Sequence, residues 1–478
     1  MLFNSVTYIL FLWGVYVLWW TWRRKRSLRH SMVLVASYCF YGYADWTYTS
    51  LLAASTLVDF VAGLGIARAR EAGRPGHARA WMGASLATNL GLLGTFKYFD
   101  FFSRSFQHAL ASLGVEASLP LLQVALPVGI SFYTFQTLSY TIDVYRGHMR
   151  PTRSLLDFAV FVSFFPQLVA GPIVRAVDFL PQLERSSVLD RARIGSGLFQ
   201  ILRGLTKKLL LADVLGAQLV DRAYANADTI SQLGGPGLML VTYAYALQLY
   251  GDFAGYSDIA IGSARLLGFE LRKNFDAPFK SRSLEEFWTR WHISMSSWFT
   301  DYVYIGMGGS RASAPRVARN IFVAWALVGL WHGAAWTFVL WGSFHGACLV
   351  AARLARRALP GGRLPPGPLW SLASLLVTFH IVAFSMILFR CPDMASFEAA
   401  LGALADWSRP LPRVPWQVLA IMVLGFVTHM LPDRVLERCE RAWIGLPAPV
   451  QGAALTAAVL AFFGLRPPGL TPFVYFQF

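Results

Sequence analysis

Apolar stretches of about 17 to 25 residues recur along the whole chain, separated by short loops carrying arginine and lysine. A run of that length needs no polar solvent on any side if it is helical, because a helix satisfies its own backbone hydrogen bonds. Transmembrane strands need only about 9 to 11 residues. The pattern therefore predicts an all-α, polytopic integral membrane protein with about 11–12 transmembrane helices and re-entrant segments. No polar segment is long enough for a separate soluble domain, so residues 1–478 read as one membrane domain. Only 14% of residues are charged, against roughly 25% in soluble domains. The net charge of +16 sits in loops between apolar runs, as the positive-inside rule expects. That placement argues for a membrane surface and against nucleic acid.

Loop charge also orders the spans. Five basic residues between Arg23 and Arg29 follow the first run, Met1 to Trp22, which reads as a spanning helix with its N-terminus outside and not as a signal peptide. Residues 31–66 read as two short helices turning near Asp45, before the next basic cluster at Arg68, Arg70, Arg74 and Arg79. The segment 155–174 carries Pro166 and Pro172 between basic flanks. Proline breaks helix continuity, so this segment is expected to be re-entrant and shielded by protein. Later spans are expected around 370–389, 416–431 and 447–465.

Cys39, Cys348, Cys391 and Cys439 are scattered, which indicates neither a disulfide framework nor a thiolate metal site.

Two tryptophan–histidine pairs, Trp291-His292 and Trp331-His332, carry the chemistry. His332 lies in a run from Asn320 to Ala352 without an acidic or basic residue. As one straight helix that run would extend about 50 Å, well beyond a hydrocarbon core of about 30 Å. It must bend, and Gly329 and Gly333 bracket the expected place. Loop charges put His332 near the bilayer midplane and His292 near the cytoplasmic interface, beside Ser294 and Trp291. A buried imidazole suits proton transfer near neutral pH, and intramembrane acids such as Asp252 and Asp258 are functional candidates by default. Structural readings stand beside these. A histidine can bridge helices, the two aspartates can be counter-charges for arginines such as Arg265, and His345 is expected on a different helix face from His332. No metal-ligand spacing surrounds either histidine.

Several ordered stretches resemble the membrane-bound O-acyltransferase family, within it the bacterial alginate O-acetyltransferase-like membrane subunits. They are Ser131-Phe132-Tyr133-Thr134-Phe135-Gln136 through Tyr140 to Gly147, then Phe164-Phe165-Pro166-Gln167-Leu168-Val169-Ala170-Gly171-Pro172, then Tyr250 to Asp258, including Ser257. Glu286 to Ser294, Gly329-Leu330-Trp331-His332-Gly333-Ala334 and the terminal Phe473 to Phe478 follow. The motif-bearing core spans about residues 120–390. Departures are Gly251, Ala254 and Thr289, which bear on substrate more than on reaction.

The resemblance implies the fold of that family and a catalytic His332 with His292 as its second histidine. It also implies a cytoplasmic acyl thioester donor such as acetyl-CoA, and no metal. It further implies a multi-pass protein of the bacterial inner membrane, acting in an exported polysaccharide pathway with a periplasmic SGNH-hydrolase-type partner. Trp331, Gly333, Ser294, Asp252, Ser257, Asp258 and Trp291 are candidate substrate or tunnel residues. Two other classes remain open: a secondary transporter, which predicts an internal repeat, and a structural subunit of a polysaccharide export complex.

Overall fold

The computed structural model describes residues 1–169, 171–185, 188–358, 367–465 and 473. Of the terminal Phe473 to Phe478 stretch, only Phe473 lies among them, and Ala170 of the proline-containing stretch lies outside. Every regular element among the described residues is helical. The chain divides into two units, residues 1–197 with 263–272, and residues 198–262 with 273–478.

In the first unit, helices Arg26–Gly42 and Thr49–Glu71 turn through Asp45. Its carboxylate accepts the Thr47 N–H at 2.8 Å and starts the short helical turn between them. Helices Thr49–Glu71, Pro75–Leu93 and Ile130–Arg146 enclose the fully buried Asp59, which accepts hydrogen bonds from Ser85, Asn89 and Thr141. The segment expected to be broken is broken: Ser154 caps Leu155–Ser163, and the chain turns at Phe164 into the single-turn helix Phe165–Leu168. Phe161, Phe164, Phe165 and Leu168 have no exposed surface, so the protein shields the interruption.

Among the described residues, three helices are individually long and apolar enough to cross a bilayer: Trp46–Glu71, Trp336–Ala358 and Pro368–Arg390. The pair Trp416–Met430 and Asp433–Gly445, bent by 94°, passes the same test together. These are fewer self-sufficient spans than apolar runs in the sequence. The physical reason is that many runs fold as short, interrupted helices whose buried polar groups are satisfied by neighbours.

The 320–352 run illustrates this in the second unit. It bends as length requires, but as a full reversal: helix Ala314–His332 ends at Gly333, and helix Trp336–Ala358 packs back along it. Gly329 and Gly342 allow the contact. A Cβ on Gly329 would strike the Phe338 carbonyl, and one on Gly342 would strike the Trp325 carbonyl. Small residues at such crossings let two backbones approach. His332 is thus the last residue of one arm of a hairpin.

Candidate active site

His332 is held by its own helix. Its Nδ1 lies 2.7 Å from the Val328 carbonyl oxygen. A carbonyl only accepts, so Nδ1 carries the hydrogen and Nε2 keeps the lone pair in the neutral ring. Trp331, Trp341 and Phe389 stand edge-on to this imidazole, with ring centroids at 4.9, 5.0 and 5.5 Å. Such walls exclude water and fix the ring without neutralising its base.

His292 arrives from a separate break. Ser283 caps helix Leu284–Arg290, accepting the Glu286 N–H at 3.1 Å, and the Glu286 carboxylate returns to the Arg282 N–H at 2.9 Å. That helix stops at Trp291, and His292 turns left-handed (φ 45°, ψ 53°) before helix Ile293–Trp298 begins. A non-glycine residue in that region is strained by on the order of 1–3 kcal/mol, and such strain clusters at functional sites. Asn274 holds the turn in place: its carbonyl accepts the Ile293 N–H at 3.0 Å, and its side-chain oxygen accepts both the N–H and the hydroxyl of Ser294. Its amide also donates to Ser257 at 3.2 Å.

The outcome corrects the expected separation in depth. The His292 and His332 rings lie 6.4 Å apart, centroid to centroid, and Trp331 is 5.8 Å from His292. Loop charges report only where a segment's flanks lie. They cannot see a strained turn that carries a side chain inward. Both histidines therefore belong to one site, completed by Phe253 at 4.5 Å from His292. Phe473 packs on Phe253 and Tyr256 behind it.

Other candidates divide clearly. Trp291 is buried and stacks on Phe287 at 5.5 Å, forming the floor of the turn. Ser294 and Ser257 are joined through Asn274 and position that turn. Gly333 has extended backbone open to any residue; what demands glycine is the Phe338 ring, which a Cβ would strike. Asp258 is gripped by Arg203, Lys207 and Gln200 at 2.6–2.9 Å. Its partners are these, while Arg265 bonds Glu270 instead. Asp252 lies 2.6 Å from Lys208, which also bonds Asp213 at 2.7 Å. Both aspartates are thus ion-paired.

His345 departs from expectation. On one straight helix, thirteen residues would turn it away from His332. The hairpin reversal instead puts both rings against Trp341, at 4.9 and 5.0 Å. The two histidines line one slender cavity of ≈ 10 Å³ with Trp288, Ser385 and Phe389. A separate, larger cavity of ≈ 270 Å³ is lined by Val328, Phe299 and Trp325, with Arg353, Arg356 and Glu285 also in its wall. Sequence reasoning missed Asn274 and Ser385 altogether; both are small polar residues without a distinguishing spacing. Among the described residues no group of three or more metal-ligating side chains forms.

Residues 146–388, which include both histidines, match the model of MBOAT, the membrane-bound O-acyltransferase family. The chain belongs to this family. It is 38% identical over 384 residues to a protein of Azotobacter vinelandii described as a probable alginate O-acetylase AlgI, covering 80% of this chain and 74% of the relative. A Pseudomonas aeruginosa protein of the same description is 36% identical over 440 residues, 92% of this chain and 76% of that one. A peptidoglycan O-acetyltransferase of Helicobacter pylori is 32% identical over 398 residues, 78% and 72% of the two chains. As a member of the membrane-bound O-acyltransferase family the chain is a polytopic, all-helical membrane enzyme that transfers acyl groups to hydroxyls.

Proposed function

We propose that this O-acyltransferase moves an acetyl group from a cytoplasmic thioester, acetyl-CoA, to the outer side of the bacterial inner membrane for O-acetylation of an extracytoplasmic glycan such as alginate. Residues 1–478 act as one membrane domain in this reading, with a periplasmic SGNH-hydrolase-type protein as the partner that finishes transfer. The observation that carries it is the tautomer lock on His332. With Nδ1–H given to Val328, Nε2 takes the proton of the acceptor hydroxyl. The hydroxyl oxygen forms a bond to the thioester carbonyl carbon, the carbon–sulfur bond breaks, and the proton passes from Nε2 to the departing sulfur. General base catalysis of this kind is worth about 10² to 10⁴-fold.

His292 supports the same centre from the facing segment. The ≈ 270 Å³ cavity with Arg353 and Arg356 supports donor entry, since guanidinium groups match phosphate oxygens. Membranes containing His332→Ala at wild-type abundance, supplied with acetyl-CoA, test the reading. Thiol release and polymer acetyl content are expected to fall together by about 10² to 10⁴-fold; unchanged acetylation rejects it.

A further inference from the structure

One pair of polar groups beside His332 has no role in that chemistry. His345 Nε2 lies 2.9 Å from the Ser385 hydroxyl, whose own hydrogen goes to the Val382 carbonyl at 2.7 Å. The hydroxyl has given its hydrogen away, so it accepts here, and Nε2 must carry the imidazole hydrogen. His345 Nδ1 is then a bare acceptor. It is buried (1% exposed) and has no hydrogen-bond partner. The Trp288 indole, 5% exposed, stands edge-on at 5.0 Å, and its N–H likewise has no partner. One acceptor and one donor, both buried, thus wall the ≈ 10 Å³ cavity that His332 also lines. That space fits about one water-sized group, and leaving two such groups unsatisfied is costly.

The geometry points to Trp288 and His345 as a station for a single O–H group next to His332. An O–H accepts from the indole and donates to the imidazole, whereas a carbonyl or thioether does only one of these. The group is a water: an acceptor hydroxyl has a single hydrogen, which His332 Nε2 takes, whereas a water donates one hydrogen to His345 Nδ1 and keeps a second for His332. His345 is then a positioning residue for the base and not a helix strut alone. The inference rests on His332 acting as that base.

The test uses the full-length protein in membranes, with acetyl-CoA as donor and deacetylated alginate oligosaccharide as acceptor. His345→Gln keeps a polar group near the Nε2 position, toward Ser385, and removes the Nδ1 acceptor. His345→Asn does the reverse, offering its amide oxygen where Nδ1 stood. The station predicts that His345→Gln lowers transfer by about 10-fold or more and changes the pH–rate profile at normal abundance, while His345→Asn retains more activity. Trp288→Phe should lower transfer in the same sense. A lower kcat at unchanged KM for the oligosaccharide is the expected signature of the water; a raised KM with unchanged kcat overturns it. His345→Gln with wild-type rate and pH profile, or His345→Asn as the worse variant through lost abundance alone, overturns the inference. If wild-type thiol release proves independent of His332, the parent reading has failed instead.

Discussion

Two kinds of buried polar group sit within residues 198–262 and 273–478, and they are satisfied in opposite ways. Asp252 and Asp258 meet Lys208, Arg203 and Lys207 at 2.6–2.9 Å. His292 and His332 meet rings: Phe253, Trp331, Trp341 and Phe389 lie 4.5–5.8 Å from them. A buried carboxylate must be paired because an isolated charge in an apolar interior is prohibitively costly. A neutral imidazole carries no charge to be compensated, so it can be enclosed by rings and keep its lone pair. The contrast says where to look for chemistry: the charged groups join helices, and we propose that the uncharged imidazoles are the groups that react.

The sharpest way to break this contrast is to remove each kind of group in turn. His332→Gln should lose about 10² to 10⁴-fold in transfer with little change in abundance or melting temperature, read by thiol release and thermal denaturation in detergent. Lys208→Met should do the opposite. It removes the ammonium that Asp252 and Asp213 share, a loss of about 3–5 kcal/mol that should appear first as reduced folded protein. Gly342→Ala probes the hairpin that presents His332. Its methyl meets the Trp325 carbonyl, and overpacking of about 1–3 kcal/mol should lower thermal stability.

The smallest effect concerns pH at the loop leading to His292. Burial alone would raise the Asp276 carboxyl, but the hydrogen bond and charge of Lys273, with Arg290 and Lys280, hold it below its ordinary 3.8. A lowered folded value stabilises the loop fully above 3.8, and the contribution is lost as pH falls below that. Hydrogen exchange of residues 273–280 should therefore be flat through neutral pH and rise only in acid below 3.8. Asp276→Asn should remove that acid step.

Much of the helical layout was legible because it follows from length and charge: the Asp45 turn, the break after Ser163, and helices at Pro368–Arg390 and Trp416–Met430. The two histidines were legible because an ionisable residue amid apolar ones is conspicuous. Their adjacency was not. It depends on a left-handed turn at His292, on Asn274, whose single side chain links Ser257 and Ser294, and on a reversal at Gly333. None of these leaves a period or a motif of its own, since each is decided by contacts between segments distant in the chain. The partners of Asp258 were misassigned for the same reason. Arg265 is nearer in sequence, but the helix carries it to Glu270, and Arg203 and Lys207 face the acid.

We propose that catalysis resides in the enclosed imidazole and stability in the paired acids. The most direct measurement is the transfer rate per folded molecule for His332→Gln and Asp258→Asn, purified side by side from the same membranes. For His332→Gln the expected rate is lower by about 10² to 10⁴-fold at wild-type stability. For Asp258→Asn a near-wild-type rate per folded molecule and a lower melting temperature are expected. Wild-type transfer by His332→Gln, or a rate lost in Asp258→Asn while stability holds, would contradict it.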